Sequence, residues 1–231
     1  MPDLTAMRRV FARDLNRPVY AIDLRNHGDS SHHAKHDYTA LAEDVEGFLK
    51  HHDIRDSTLI GHSMGAKTAM VVALRKRVPI ANLISVDNAP VDAALSSDFA
   101  KYVKGMRRIE EAGVKKQSEA DAILKEYEES LPIRQFLLAN LMRAPDGLQK
   151  WRIPIKYLGS SLDNMADFPF NDPDEVRYNG PTLFVRGTKS KYVADEMLPT
   201  IGRFFPRFQL ADVEAGHWVI SEKPEEFRNG K

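Results

Sequence analysis

One serine of this chain stands in a pentapeptide that suits nucleophilic catalysis. Ser63 is the centre of GHSMG (61–65), between a strand-like run at 58–61 and a helix rich in small residues at 66–74. Such a turn is typical of a nucleophile elbow, in which the serine backbone is strained and its hydroxyl stands above the sheet. We expect both glycines to be required, because a Cβ at either would collide with a neighbouring element. The N–H of Met64, at the helix start, is the predicted oxyanion donor; a chance glycine-rich helix start is the alternative.

A serine hydroxyl is a weak nucleophile without a base, and one histidine is placed to serve as that base. His217 lies in EAGHW, after the strand-like run Phe208–Leu210, and Gly216 gives the loop freedom to turn the imidazole over the sheet edge. Its position after Ser63 fits the chain order serine, acid, histidine. A solvated loop histidine is the alternative. His62, inside the elbow, is expected to pack beside the pocket.

The elements that must position these residues alternate between strands and helices, which predicts a parallel sheet covered on both faces. Residues 91–178 break the alternation with a mainly helical, charged stretch. An insertion between two strands of a parallel sheet lies over their carboxyl ends, where ligands bind. We interpret it as a lid that shapes an acyl or alcohol pocket, and extra packing helices are the alternative. The strand-like runs are Pro18–Asp23, Thr58–Gly61, Leu83–Val86, Thr182–Val185 and Phe208–Leu210.

Composition excludes several other classes of function. Lys+Arg and Asp+Glu both count 33 in 231 residues, so no net charge favours a nucleic acid or an anionic membrane as partner. No apolar run is long enough to predict a transmembrane segment. The absence of Cys excludes a thiolate nucleophile and Cys-ligated zinc. A run of three histidines has few carboxylates around it, so we interpret it as a solvated loop and not as a metal site: His32, His33 and His36.

Five motifs in this order resemble one branch of the α/β-hydrolase superfamily: DLRNHGDSSH, GHSMGAKTAM, SVDNAP, RGTKSKYV and AGHWV. The branch holds mitochondrial abhydrolase-type esterases, related bacterial acyl-ester hydrolases and yeast ethanol acetyltransferase. The resemblance runs from about Phe11 to Phe227. It implies an α/β-hydrolase fold, a mostly parallel sheet flanked by helices, as a single domain over 1–231 with a helical cap at 91–178. It also implies a mitochondrial location, with the cytoplasm as the alternative.

The resemblance also places the acid of the triad. Common α/β-hydrolases carry an Asp a few residues after the strand that is Thr182–Val185 here, and Ser190 stands at that position. Asp87 instead ends the preceding strand, 24 residues after the nucleophile, as in the resembling proteins. Adjacent strands lie about 4.8 Å apart, so an acid one strand over can still reach His217. A helix cap or a salt-bridge partner is the alternative role for Asp87, and two rival acids remain, Asp92 and Asp195.

The chain departs from the superfamily at its ends. In the superfamily's strand order 1-2-4-3-5-6-7-8, Pro18–Asp23 resembles strand four, and His27-Gly28 is interpreted as a structural turn after it. The loop that supplies the second oxyanion donor follows strand three, which would lie upstream, and the final helix stops short in EKPEEFRNGK. We therefore expect a chain truncated at both ends, with its first strands missing, that is poorly soluble and at most weakly active when expressed alone.

These observations predict a serine-dependent carboxylic ester hydrolase or acyl transferase. Ser63 would attack a short-chain acyl ester or thioester, His217 would act as base, and Asp87 would hold the imidazole. Water or an alcohol would accept the acyl group, with no metal or organic cofactor. A second hypothesis is a catalytically weak or inactive fragment that acts as a binding protein. A third, dehalogenation or epoxide opening, normally uses an Asp at the elbow, where this chain has the serine.

Overall fold

The computed structural model describes residues 4–92 and 97–229, and their elements alternate much as the sequence predicts. None of the helices in these ranges is both long and apolar enough to cross a bilayer. The strands are β1 (Ser57–His62), β2 (Ile80–Val86), β3 (Leu141–Arg143), β4 (Gln149–Trp151), β5 (Thr182–Gly187) and β6 (Phe208–Val213). The helices are α1 (Leu4–Leu15), α2 (Tyr38–His51), α3 (Met64–Arg75), α4 (Ser97–Ala112), α5 (Gln117–Leu124), α6 (Leu131–Leu138), α7 (Ile155–Ser160), α8 (Leu162–Ala166), α9 (Leu198–Phe204), α10 (Val219–Glu222) and α11 (Pro224–Asn229), with a 3-10 turn at Asp195–Met197.

Among the described residues, four parallel strands form the main sheet, in the order β1-β2-β5-β6. Parallel neighbours need a crossover connection, and helices supply it here, so all four carboxyl ends meet at one edge of the sheet. The register pairs His62 with Val86, Val86 with Val185, and Gly187 with Val213. Four of the five predicted strands are therefore confirmed, within slightly longer bounds, and the α/β fold class is correct.

The fifth prediction, a strand at Pro18–Asp23, is wrong. These residues form no strand, and within the described part of the chain β1 pairs with β2 alone. An extended segment becomes a strand only when a neighbour accepts its backbone hydrogen bonds, and no described strand does so here. Side chains hold the segment instead: the Arg17 guanidinium binds Asp56, and the ring of Tyr20 packs edge-on against Phe48 at 5.7 Å.

Helix α3 and the sheet are joined by apolar packing. Every residue of α3 from Ala66 to Leu74 is buried, and its alanines allow the helix to lie close to β1 and β2. A further apolar cluster joins strand residues to helices near the chain ends, and each fully buried aliphatic side chain of this kind contributes about 1.5–3 kcal/mol. Its buried members include Val86, Val185, Val213, Val219 and Ile220.

The described residues group into two compact units. The first comprises those of 1–22, 38–93 and 167–231, and the second those of 23–37 and 94–166. The core of the second unit is formed by helices α4 to α7 and by an antiparallel pair, β3 and β4, that the mainly helical pattern did not predict. All residues of the candidate site lie in the first unit.

Residues 23–37 of the second unit fold around one asparagine. Asn26 is fully buried with a φ of 67°, and its side chain bonds both the carbonyl oxygen (3.0 Å) and the N–H (2.8 Å) of His33. Its amide Nδ2 also lies 3.2 Å from Nδ1 of His36, whose side chain is 2% exposed. Burial lowers the pKa of His36 to about 4. The interpretation of this histidine run as a solvated loop is therefore wrong for His36. A polar stretch without an apolar repeat gives no sign that one of its side chains is buried in a hydrogen-bonded network.

Candidate active site

The elbow at the end of β1 holds Ser63 in a strained backbone conformation, as the sequence predicts. Its φ is 54° and its ψ is −116°, a region that costs a non-glycine residue about 1–3 kcal/mol. Hydrogen bonds on both sides maintain it. The N–H of Ser63 donates to the carbonyl of Val86 at 3.0 Å, and its own carbonyl accepts from Lys67 N–H (3.1 Å) and Asn88 Nδ2 (3.1 Å).

The two glycines of the elbow have different roles. A Cβ on Gly61 would lie 2.1 Å from the backbone oxygen of Gly65, so the prediction that Gly61 is required is confirmed. A Cβ on Gly65 would meet nothing within 4 Å. The prediction that Gly65 is required for the same reason is therefore wrong. Gly65 contributes the backbone that excludes a side chain at position 61, and its own side is open.

A continuous chain of hydrogen bonds joins the serine, a histidine and an aspartate. Nε2 of His217 lies 2.8 Å from Oγ of Ser63, and its Nδ1 lies 2.7 Å from Oδ2 of Asp87. A carboxylate can only accept, so Nδ1 carries the proton and Nε2 is left to accept from the serine hydroxyl. The carboxyl group of Asp87 is fully buried, whereas the His217 side chain is 17% exposed. The structure thus brings together the three residues that the sequence singles out.

Asp87 is positioned by backbone strain and by several donors. It follows β2 directly with a φ of 51°, and its N–H donates to the carbonyl of Val185 at 2.8 Å. Its Oδ1 accepts the N–H of Gly187 at 3.0 Å, and its Oδ2 accepts the hydroxyl of Ser190 at 2.5 Å. A buried carboxylate is costly unless it is hydrogen-bonded. These donors and the imidazole N–H of the base meet that requirement.

The turn after β5 contributes two contacts that sequence reasoning missed. The sequence indicates only that Ser190 stands at the position of the usual acid, whereas its hydroxyl donates to Asp87 and accepts the N–H of Tyr192 at 3.2 Å. The ring of Tyr192 stacks on the ring of His217, with centroids 4.1 Å apart and planes 28° apart. The position of Ser190 at the usual place of the acid was the available signal for its contact with Asp87.

The rival acids are engaged elsewhere. Asp92 accepts the N–H of Phe168 at 2.6 Å, and Asp195 pairs with Arg186 at 2.5 Å. The same guanidinium also binds Asp212. The structure brings neither rival to His217.

The two residues next to the nucleophile, His62 and Met64, have different roles in the site. Met64 is the first residue of α3, and a first-turn N–H has no acceptor within its own helix. This leaves the Met64 N–H available beside the nucleophile, and its role as oxyanion donor stays a prediction. Nε2 of His62 lies 2.7 Å from the carbonyl oxygen of His217, and burial lowers the pKa of His62. The predicted packing of His62 is thus a specific contact with the base loop.

The arrangement provides a nucleophile, a base in contact with it, and a buried carboxylate behind the base. Such a set can carry out acyl transfer through an ester formed on the serine. Within the described ranges, no group of three or more His, Asp or Glu side chains is placed to hold a metal ion.

Comparisons with known proteins agree on the fold and on the branch. Residues 6–224 match the family described as alpha/beta hydrolase fold. An abhydrolase domain-containing protein of Schizosaccharomyces pombe is 40% identical over 224 residues, covering 96% of this chain and 83% of that protein. A probable alcohol acetyltransferase of Saccharomyces cerevisiae is 37% identical (93% and 67% covered), and an sn-1-specific diacylglycerol lipase of Xenopus laevis is 38% identical (96% and 71%). Among solved structures, a marine microorganism esterase superposes with a TM-score of 0.88 at 31% identity, covering 95% of this chain and 86% of that one.

Proposed function

The chain belongs to the α/β-hydrolase fold family, and on that premise we propose that it is a serine-dependent carboxylic ester hydrolase or acyl transferase. The observation that carries the proposal is the hydrogen-bonded chain from Ser63 through His217 to Asp87, at 2.8 and 2.7 Å. The relatives are named as esterase, lipase and acetyltransferase, which supports ester chemistry with more than one acyl acceptor.

In the acylation step, Ser63 Oγ attacks the acyl carbon while Nε2 of His217 takes the hydroxyl proton. A bond forms between Oγ and the carbon, and the carbonyl electron pair moves onto oxygen, where the N–H of Met64 stabilises the charge. Asp87 stabilises the imidazolium cation without accepting its proton. The imidazolium then gives its proton to the leaving alcohol or thiol, and the original acyl bond breaks.

Deacylation repeats the same steps with a second acceptor. His217 takes a proton from water or from an alcohol, whose oxygen attacks the acyl-serine. The tetrahedral intermediate collapses, the bond to Ser63 breaks, and the proton returns to Oγ. Water yields a carboxylic acid and an alcohol yields a new ester. We propose a short-chain acyl ester or thioester as the donor.

A serine substitution tests the proposal directly. Ser63→Ala should lower kcat for p-nitrophenyl acetate by about 10⁶ and should abolish covalent labelling by a fluorophosphonate. Ser160→Ala, which removes an exposed hydroxyl at the end of α7, is the matched control and should leave both unchanged. Labelling that persists in Ser63→Ala would place the nucleophile elsewhere. An unlabelled wild-type chain would favour the alternative, a catalytically weak or inactive binding protein.

Two finer assignments stay predictions. The first is that the chain is one domain in which residues 91–178 form a cap that shapes the acyl pocket. Exchanging this segment with that of a relative should transfer the acyl-length preference if the cap sets it. The second is a mitochondrial location, which cell fractionation with an antibody against the chain would test.

A further inference from the structure

The nucleophile and the base follow the two outermost strands in the order of the described sheet. β1 and β6 are the outer strands in the order β1-β2-β5-β6, so three strand spacings, roughly 14 Å, separate them. The loop after β6 must therefore return across two strands before His217 can lie 2.8 Å from Ser63. Strand pairing alone does not fix where that loop ends.

His62 contacts the base loop at the place where that loop reaches the nucleophile. It is the last residue of β1, next to Ser63 in the chain, and its Nε2 lies 2.7 Å from the backbone carbonyl oxygen of His217. A carbonyl oxygen only accepts, so Nε2 must carry the proton. A side chain on the nucleophile strand thus holds the backbone of the base.

The surroundings of His62 keep its ring in one place. Its centroid lies 4.9 Å from the ring of His217 and 5.9 Å from that of Trp218. Burial favours the neutral imidazole by lowering its pKa, which leaves one ring proton for the bond to the carbonyl. The strained elbow fixes Ser63, and His62 sits at its entry.

Resting on the proposed function, we propose that His62 is a positioning residue that sets the distance between Ser63 and the imidazole of His217 by anchoring the backbone of the base. It acts through His217 and does not contact the reacting atoms. A ring that merely filled space would leave this distance unchanged when its N–H donor is removed.

Substitutions that separate the ring from the donor test the proposal. His62→Phe keeps a flat ring and removes the donor, and displacement of a reacting group by about 1 Å costs on the order of 10² in rate. We expect kcat for p-nitrophenyl acetate to fall about 10- to 100-fold with KM changed less than about twofold. His62→Gln keeps an N–H at a similar reach and should recover most of that loss. Equal activity of His62→Phe and wild type would overturn the proposal.

A double-mutant cycle separates positioning from general damage. In a His217→Ala background the imidazole is already gone, so His62→Phe should change the residual rate less than about twofold. A full loss in that background would show that His62 acts by another route. Circular dichroism melting of each variant identifies any that fails to fold, and then His62→Gln and the spectrum described next decide.

A spectrum of the wild-type chain tests the anchor without using activity. Long-range ¹H–¹⁵N correlation should show His62 as the Nε2–H tautomer from pH 6 to pH 8. The Nδ1–H tautomer would overturn the proposal whether or not the enzyme is active. If wild type neither hydrolyses the ester nor takes the probe, the proposed function fails, and the tautomer alone then decides the anchor.

Discussion

Two hydrogen-bonded networks in this molecule are each built around a histidine and contain similar groups, but they differ in the chemistry that those groups allow. The catalytic network contains Ser63, Asp87 and His217; the loop network contains Asn26 and His36. Each includes non-glycine residues with positive φ: 54° and 51° at the two triad residues, and 67° at the asparagine. In each, a histidine ring nitrogen is hydrogen-bonded to another side chain.

The difference lies in the partners and in the exposure of the ring. His217 has a carboxylate on one nitrogen and a hydroxyl on the other, and its side chain is 17% exposed, so a proton can move through it. His36 is 2% exposed, and its Nδ1 faces an amide N–H that cannot release a proton at neutral pH. A histidine acts as a base when a carboxylate holds one ring nitrogen and the other nitrogen can accept a proton from a hydroxyl group. Without these, burial makes it a structural residue.

After the loss expected for Ser63→Ala, the largest expected effect tests the acid of the catalytic network. Asp87→Asn should lower kcat by about 10⁴, because a neutral amide no longer stabilises the imidazolium or its tautomer. Esterase kinetics with p-nitrophenyl acetate measure it. Asp195→Asn, which removes a partner of Arg186, is the matched control and should change kcat less than about threefold. The opposite ranking would transfer the role of acid to Asp195.

We expect the loop network of Asn26 and His36 to affect the free energy of unfolding and not the esterase rate. The folded pKa of His36 is about 4, below its ordinary 6.5, so the native state binds this proton less tightly than the unfolded chain. Its contribution is present above pH 6.5 and is lost as the pH falls toward 4, by up to about 3 kcal/mol. Urea unfolding at several pH values measures the change.

His36→Phe is the control for that measurement, because other groups also titrate in this range. The variant should be less stable than wild type at pH 7, since the Asn26 amide loses its acceptor, and the difference should shrink between pH 6.5 and 4. A difference that is constant with pH would show that His36 titrates normally and would erase the contrast between the two networks.

A smaller effect is expected where the turn after β5 supports the acid. Ser190→Ala removes one hydrogen bond to the Asp87 carboxylate, and bonds to charged groups are worth about 1.5–3 kcal/mol. We expect kcat to fall about 10- to 100-fold, well short of the Asp87→Asn loss. Ser190→Thr keeps the hydroxyl and should retain more activity. A loss as large as that of Asp87→Asn would mean that the serine is as essential as the acid.

The smallest effect concerns glycines in the two regions. Gly65→Ala places a methyl group in open space on α3 and should raise the free energy of unfolding by up to about 1 kcal/mol. Gly28→Ala should lower it, because Gly28 has a φ of +52° and its Cβ would meet the Asp23 carboxylate at 1.9 Å. Chemical denaturation of both variants measures the pair, and a destabilised Gly65→Ala would show that the elbow is more crowded than the structure indicates.

Features that depend on neighbouring residues could be predicted from the sequence, whereas features that depend on contacts between distant residues could not. The elbow serine and four strands were predicted because local pattern encodes them. Pro18–Asp23 has the same local pattern, but a strand also needs a hydrogen-bonded neighbour, which composition does not report. The acid required a family resemblance, because Asp87 and Ser190 lie next to each other only once β2 and β5 pair.

Side-chain partners were the least predictable part. The bond from His62 to the base loop joins residues 155 positions apart, and no periodicity announces it. The buried ring of His36 is hydrogen-bonded to the side chain of Asn26, ten positions earlier. The pentapeptide pattern does not distinguish its two glycines, but in the structure the backbone of Gly65, and not its missing Cβ, excludes a side chain at position 61.

Because the acid lies on the strand beside the nucleophile, the loop of chain that joins the two residues is short. Asp87 follows Ser63 by 24 residues, whereas position 190 follows it by 127. Loop-closure entropy grows with the logarithm of loop length, so bringing the acid to the nucleophile costs about 1.5 kcal/mol less from position 87 than from position 190. Nucleophile and acid belong to one strand–helix–strand unit, residues 57–87, and residues 91–178 lie outside the loop that joins them. Lengthening or exchanging that later stretch therefore leaves the loop-closure entropy of Ser63 and Asp87 unchanged. Only His217, which follows the stretch in the chain, must be brought to the site across it.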